Sequence, residues 1–195
     1  VMAALDLLDG LFRSIWHNGF VPAPVIGTLP EMLSVISIGP TELGFRAGNA
    51  VFCLTGIAAV YILGTVLRSR MAGMFAAMLM AGNLAYFHFS RLASNGVSAI
   101  TALWVLTFFV LALKYGSWRY WILCGLFSGY TFLLWPVARV GPMAVLMAGV
   151  LIAFMYPRRA LSQWYGPLLL ILAFLVVIVP LLPLWIRTPV LAFPR

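Results

Sequence analysis

The sequence contains no aspartate or glutamate after Glu42, and charged residues make up only 8% of its 195 residues. A water-soluble domain with so few charges could not cover its surface, so the composition excludes an ordinary soluble protein. The hydrophobic fraction of 64% and the mean hydropathy of +1.08 are instead typical of a chain that lies in a lipid bilayer.

Several kinds of functional site also lack their usual residues. Cys53 and Cys124 both fall in apolar segments, and with only His17 and His88 beside them the sequence shows no zinc-type ligand spacing, so we expect no metal site. No phosphate-binding glycine motif occurs, which argues against an ATP or dinucleotide site. The net charge of +8 comes from single or paired cations between apolar segments, so we expect no nucleic-acid partner.

What the sequence does contain is six uncharged segments of 18 to 27 residues, bounded by cations. A helix needs about 20 mainly apolar residues to cross a hydrocarbon core about 30 Å thick. The spacing therefore predicts an all-α protein, a polytopic transmembrane helical bundle with about six spans. Its connections are very short, so neighbouring helices should be antiparallel. The predicted spans are 46–67, 71–90, 95–114, 118–136, 140–156 and 163–186.

Residues 1–43 differ from the bundle, which we assign to residues 44–195, because they contain every acidic residue of the chain. These are Asp6, Asp9, Glu31 and Glu42. The segment is too polar to span a membrane, and its pattern predicts amphipathic helices at the membrane surface, the second a short helix from about Pro30. The turns between spans carry more cations on the other side, so the positive-inside rule places residues 1–43 outside the cell.

Three arginines, Arg46, Arg91 and Arg139, are predicted to lie at span ends on this external side. Each one alone could be an anchor that reaches the lipid headgroups from a helix end. Three of them beside the carboxylates favour a site for an anionic headgroup or a lipid phosphate, because a guanidinium matches the oxygens of a phosphate. His88, a lone histidine among aromatic residues, is more often a packed interfacial residue than a catalyst.

Four sequence segments occur in an order that points to a family. They are ALDLLDG at 4–10, GPTELGFR at 39–46 before a span that ends in YILG, HFSR at 88–91, and GLFSGYTF at 125–132 with ARVGP at 138–142. Together they resemble the polyprenyl-phosphate-dependent GT-C glycosyltransferases, the branch that contains protein O-mannosyltransferases and aminoarabinose transferases. Each segment alone is a weak signal, and the order and spacing of the four are more specific.

The resemblance implies an enzyme that moves a sugar from a polyprenyl-phosphate carrier to an acceptor on the external, periplasmic face of a prokaryotic inner membrane. Its substrate-binding residues would be Arg46, His88, Arg91 and Arg139, because charge develops on the departing lipid phosphate in the transition state. The lipid-linked sugar is the donor substrate, and no other cofactor is implied. Membrane lipid, the donor, and a protein, lipid or glycan acceptor would be its partners.

The general base of such enzymes is an aspartate in the first external loop. The acidic pair that supplies it in the family would fall just before Val1 in this chain. We therefore expect the chain to be a fragment that lacks its own catalytic base. Asp6 and Asp9 are the other candidates for that role, although their spacing fits the solvated face of a surface helix.

Two other functional classes stay open. Transporters place ionisable groups near the middle of the bilayer and interrupt helices at matching positions in two halves, whereas this chain keeps its charges at span ends and shows no matched halves. A non-catalytic membrane anchor or assembly subunit would not need three arginines on one side. A polytopic transporter and an assembly subunit are therefore the alternatives to the enzyme.

Overall fold

A computed structural model describes residues 29–84, 86, 95–134, 136–157 and 164–181. Every regular element in these ranges is a helix, which confirms the all-α fold. A 3-10 turn at Pro136–Arg139 precedes α6, and another at Val179–Leu181 follows α7. The α-helices are α1 Leu29–Ile38, α2 Glu42–Leu67, α3 Arg70–Ala81, α4 Asn95–Tyr115, α5 Trp118–Leu133, α6 Val140–Met155 and α7 Tyr165–Ile178.

Helix α2 begins four residues before the predicted span 46–67, and its N-cap explains the difference. Thr41 has an extended backbone, and its hydroxyl accepts a hydrogen bond of 3.1 Å from the amide of Gly44. This bond satisfies one of the N–H groups that the first turn leaves without a partner. Glu42 then lies in the first turn, where the helix dipole favours a negative charge. The cation at position 46 therefore marks a point inside the helix and not its start.

The predicted span 71–90 is not one continuous helix in the described residues. Helix α3 ends at Ala81, and the amide of Gly82 closes its last turn on the carbonyl oxygen of Met78 at 2.9 Å. The side chain of Asn83 then accepts a hydrogen bond of 3.1 Å from the amide of Tyr86. Asparagine in such a position competes with the helix for backbone hydrogen bonds and starts a new turn.

Two helices of the described residues, Glu42–Leu67 and Val97–Tyr115 within α4, are long and apolar enough to cross a bilayer by length and composition. The other apolar helices are shorter, so six spans stay a prediction. Helices α3, α6 and α7 expose large apolar side chains, among them Leu79, Phe154 and Val176, which are 76%, 82% and 69% exposed. Apolar surface of this kind suits contact with lipid.

Helix α4 lies at the centre of the bundle, between α2, α5 and α6. Its residues Ile100, Val105 and Ala112 have no exposed surface. The largest buried cluster joins α4 to α5 and α6, and it consists of Val105, Phe109, Ala112, Trp121, Cys124 and Val145. Both cysteines are buried, as the sequence predicted.

Contacts between helices fix their relative directions. The Nζ group of Lys114, near the end of α4, donates a hydrogen bond of 2.6 Å to the carbonyl of Val66, near the end of α2. The hydroxyl of Tyr165, at the start of α7, donates to the carbonyl of Gly116, just after α4. The starts of α2, α4 and α6 therefore share one end of the bundle with α1, and we call this the α1 end. The ends of α2, α4 and α6 lie at the opposite end.

This arrangement predicts the outcome of site-directed labelling. Cysteines that replace Pro40, at the α1 end, and Ser69 or Ser117, at the opposite end, should react with a membrane-impermeant maleimide from different sides of the membrane. The native Cys53 and Cys124 are buried and should add little background. Labelling of positions 40 and 117 from the same side would contradict the arrangement.

Glycines that face a neighbouring helix indicate where the packing leaves no space for a larger side chain. A Cβ atom at Gly125 of α5 would lie 2.7 Å from the Cβ of Ala173 and would overlap the carbonyl of Leu170, both on α7. Gly125→Val should therefore lower the free energy of unfolding by about 1–3 kcal/mol. A Cβ at Gly149 would meet no atom within 4 Å, so Gly149→Val is the matched control. Thermal unfolding in detergent measures both, and equal midpoints would show that α5 and α7 do not pack closely at Gly125.

Candidate functional site

Arg46 lies in the first turns of α2, at the α1 end, and its side chain is 56% exposed. Its Nη2 atom lies 2.5 Å from Oε1 of Glu42, which is 78% exposed. An exposed ion pair of this i, i+4 kind contributes little to stability, because water solvates both groups well. The guanidinium can therefore exchange this carboxylate for another anion at little cost to the fold.

Arg139 ends the 3-10 turn between α5 and α6, and it is half-buried. Its Nε group donates a hydrogen bond of 3.4 Å to the carbonyl of Phe132, in the last turn of α5. The guanidinium carbon also lies 4.8 Å from the centre of the Phe132 ring. A cation at a helix C-terminus and over an aromatic ring is doubly stabilised, so both contacts hold the guanidinium in place. No carboxylate of the described residues pairs with it.

Arg46 and Arg139 lie at the same end of the bundle. Phe52, less than two turns after Arg46, packs on a buried cluster that contains Ala138, next to Arg139. Four other cations lie at the opposite end of the bundle, at or beside a helix terminus: Arg68, Arg70, Lys114 and Arg119. Four predicted site residues lie outside the described residues: Asp6, Asp9, His88 and Arg91. The binding roles of Arg46 and Arg139 stay predictions.

The structure also places a buried polar pair at this end, which the sequence analysis did not single out. Asn49 of α2 donates a hydrogen bond of 2.8 Å from Nδ2 to Oε1 of Glu31 in α1. The two residues are only 2% and 3% exposed. The sequence analysis placed Glu31 in a polar external segment, and it did not predict that this side chain is buried. The Oδ1 atom of Asn49 is buried and has no hydrogen-bond partner.

Glu31 becomes buried because α1 folds back closely onto α2. Gly39, with φ of 102°, reverses the chain between the two helices. A Cβ atom at Gly48 would overlap the carbonyl of Pro30 and lie 2.7 Å from the hydroxyl of Ser34. That hydroxyl also donates to the carbonyl of Gly44. Glycines at positions 44 and 48 therefore allow the backbones of α1 and α2 to approach, and side chains of α1 are covered.

A cavity of about 650 Å³ lies between α1, α2 and α5. Its walls are mostly apolar and include Leu33 and Val51. The polar side chains in its lining belong to Ser34, Ser37, Thr55 and Tyr130. Ala47, next to Arg46 in the chain, also lines it, so the cavity begins within one helical turn of that guanidinium. Its volume and apolar lining are typical of sites that bind small molecules.

A family model described as dolichyl-phosphate-mannose-protein mannosyltransferase matches residues 23–185. The matched part is well over half of the chain. The chain belongs to this mannosyltransferase family. The resemblance found in the sequence is thereby confirmed, and the chain is a mannosyltransferase-like membrane glycosyltransferase of the GT-C type. No curated protein and no solved structure matches the chain.

Members of this mannosyltransferase family are integral membrane proteins, which agrees with the apolar helices of the chain. The matched residues 23–185 include the Glu42–Arg46 pair, Arg139, the buried Glu31 and Asn49, and all of the cavity lining. Among the described residues, no group of three or more His, Cys, Asp and Glu side chains could hold a metal ion.

A signal for the buried pair was present in the sequence. Gly44 and Gly48 have the G-x-x-x-G spacing that lets helices in membranes approach closely. Asn49, directly after this spacing, is the single amide side chain of α2. A polar residue beside a small-residue face in an apolar helix indicates an interhelical hydrogen bond. The identity of the partner could not be read in this way, because it depends on how α1 folds back.

Proposed function

We propose that this chain takes part in the transfer of a sugar from a polyprenyl-phosphate carrier to an acceptor hydroxyl, at the α1 end of the bundle, on the external side of the membrane. The family assignment supports glycosyl transfer. The structural observation that carries the finer proposal is the common location of two guanidiniums and an apolar cavity. Such a donor has an anionic head and an apolar tail, and the α1 end offers a complement to each.

In this reaction the acceptor oxygen bonds to the anomeric carbon of the sugar as the bond from that carbon to the phosphate oxygen breaks. The electron pair leaves with the phosphate, so negative charge grows on its oxygens. Guanidiniums of Arg46 and Arg139 would stabilise this charge through charge-assisted hydrogen bonds. The proton of the acceptor hydroxyl must pass to a general base, for which Asp6 and Asp9 stay candidates.

The tail of the carrier needs an apolar environment close to the phosphate. The cavity between α1, α2 and α5 supplies one, since Ala47 and Val51 line it within about one turn of Arg46. The carrier would thus place its phosphate at the rim and the first part of its chain between the helices. Tyr130 of α5 gives this cavity a polar group that would orient the head of the donor.

The proposed role of Arg46 and Arg139 predicts that replacing either one lowers the rate of sugar transfer but not the amount of protein inserted in the membrane. In the intact enzyme, Arg46→Ala and Arg139→Ala should each lower kcat/KM by about 100-fold, the usual effect of removing one group that stabilises developing charge. Transfer from a radiolabelled polyprenyl-phosphate sugar in proteoliposomes, divided by the amount of inserted protein, measures this.

Arg68→Ala is the matched control for these two variants, because Arg68 is an exposed arginine at the opposite end. It should transfer sugar at the wild-type rate. Arg139→Lys should keep a cation near the carbonyl of Phe132 and still transfer slowly, since lysine lacks the two-pronged geometry of guanidinium. Wild-type rates for both alanine variants would remove Arg46 and Arg139 from the site.

Filling the cavity should weaken binding of the donor. Val51→Trp places a large ring in the cavity, and the KM for a long-chain donor should rise about tenfold, which corresponds to about 1.4 kcal/mol. Val176→Trp is the control, because Val176 is similarly exposed, at 69% against 64%, and lines neither this cavity nor the cavity between α4, α6 and α7. An unchanged KM for Val51→Trp would show that the carrier lies elsewhere.

A further inference from the structure

Helix α1 forms the outer wall of the 650 Å³ cavity and packs closely on α2. Its residues Leu29, Pro30 and Leu33 line the cavity, and only Glu31 and Val35 of its ten residues are buried. A helix of ten residues is not stable by itself in water, so its structure depends on its contacts with other helices. Besides the close approach of the α1 and α2 backbones and the hydrogen bond between them, the position of the cavity wall therefore depends on these two buried side chains.

One of these two side chains is a carboxylate, which has a high free-energy cost of burial. Burying a polar or charged group costs free energy unless it is hydrogen-bonded, and an apolar side chain of similar size would pack at lower cost. Glu31 accepts its hydrogen bond from Asn49, on a helix that is 18 residues away in sequence. A buried ionisable side chain with a specific partner on another helix is an unusual observation in a folded protein and a candidate for a functional role.

The partner of Glu31, Asn49, lies close to Arg46 on α2. Asn49 follows Arg46 by three residues, so the two side chains lie on the same side of α2, about one turn apart. Tyr130 of α5 lines the same cavity as residues of α1 and α2. The Glu31–Asn49 hydrogen bond thus joins α1, which forms the cavity wall, to α2. The bond lies about one turn after Arg46, the candidate for phosphate binding.

We propose that Glu31 and Asn49 are positioning residues, which latch α1 onto α2 and so hold the cavity closed around the apolar chain of the donor. This inference rests on the proposed function. The latch acts through α1 and does not touch the sugar, the phosphate or the reacting atoms. Breaking it leaves the arginines in place and loosens only the wall that the carrier chain contacts.

A latch of this kind predicts that its effect depends on the length of the carrier chain. Glu31→Ala should raise the KM for a donor with a long polyprenyl chain about tenfold, the order expected for a buried amide left without its partner. The KM for a donor with a short isoprenoid chain, which does not reach α1, should stay at the wild-type value. A merely structural role would lower the amount of active enzyme for both donors and change neither KM.

The hydrogen-bonding pattern supplies matched rescue variants. Glu31→Gln should retain the latch, because the new amide can accept from Nδ2 of Asn49 and donate to its unpartnered Oδ1. Asn49→Asp places two carboxylates against each other and should raise the long-chain KM as Glu31→Ala does. The double variant Glu31→Gln with Asn49→Asp restores a donor and an acceptor, and it should return this KM to near the wild-type value.

The deciding experiment compares these variants in proteoliposomes with both donors and measures hydrogen–deuterium exchange in α1 and α4. The proposal expects faster exchange in α1 of Glu31→Ala, with α4 unchanged, and a higher KM for the long-chain donor alone. An unchanged long-chain KM, an equal rise for both donors, or unchanged exchange in α1 would overturn it. If the wild-type enzyme transfers sugar from neither donor, the proposed function fails, while exchange still decides whether Glu31 holds α1.

Discussion

The bundle depends on helix backbones approaching one another at glycine. In lipid there is no hydrophobic driving force between helices, so close van der Waals packing has to hold them together. A Cβ at Gly64 of α2 would lie 2.9 Å from the Cα of Gly73 in α3, and one at Gly141 of α6 would lie equally close to the Cβ of Ala102 in α4. Gly48 plays the same part for α1. The candidate site exists because this last contact holds α1, with its carboxylate Glu31, against α2.

Polar side chains inside the bundle are mostly satisfied by their own helices. Thr101 and Thr131 each donate to the carbonyl four residues earlier, at 2.9 and 2.6 Å, and Thr107 does so at 2.8 Å. These hydrogen bonds satisfy the hydroxyl groups within the helix that carries them. Among the aspartates, glutamates, lysines, arginines and histidines of the described residues, Glu31 alone is buried, and it lies beside the α1 end. An ion-coupled transporter would need such groups near the middle of the bilayer, so this distribution favours the enzyme.

The all-helical fold and the direction of the helices could be predicted from the sequence, because the lengths of the uncharged segments match the thickness of a bilayer and short turns impose antiparallel neighbours. Helix ends were predicted less well. Cations mark where a chain can leave the hydrocarbon, whereas the cap at Thr41 and the stop at Gly82 are set by local hydrogen bonds. The shared end of Arg46 and Arg139 followed from the alternation of helices. The burial of Glu31 did not, because residue polarity alone gives no information on a partner 18 residues away.

Arg46 is engaged differently from Arg139 and from the cations at the opposite end, and this difference bears on selectivity. Arg139 bonds a backbone carbonyl and lies over an aromatic ring. At the opposite end Lys114 is bonded to a backbone carbonyl and Arg119 lies 5.6 Å from the centre of the Trp118 ring, an arrangement that suits anchoring at the headgroup level. At the α1 end Arg46 has a carboxylate partner of its own. Abundant headgroups must compete with Glu42 for that guanidinium, and a lipid phosphate gains only if it also places its chain in the adjoining cavity. Recognition of head and tail together would then separate a phosphorylated carrier from the surrounding membrane lipids.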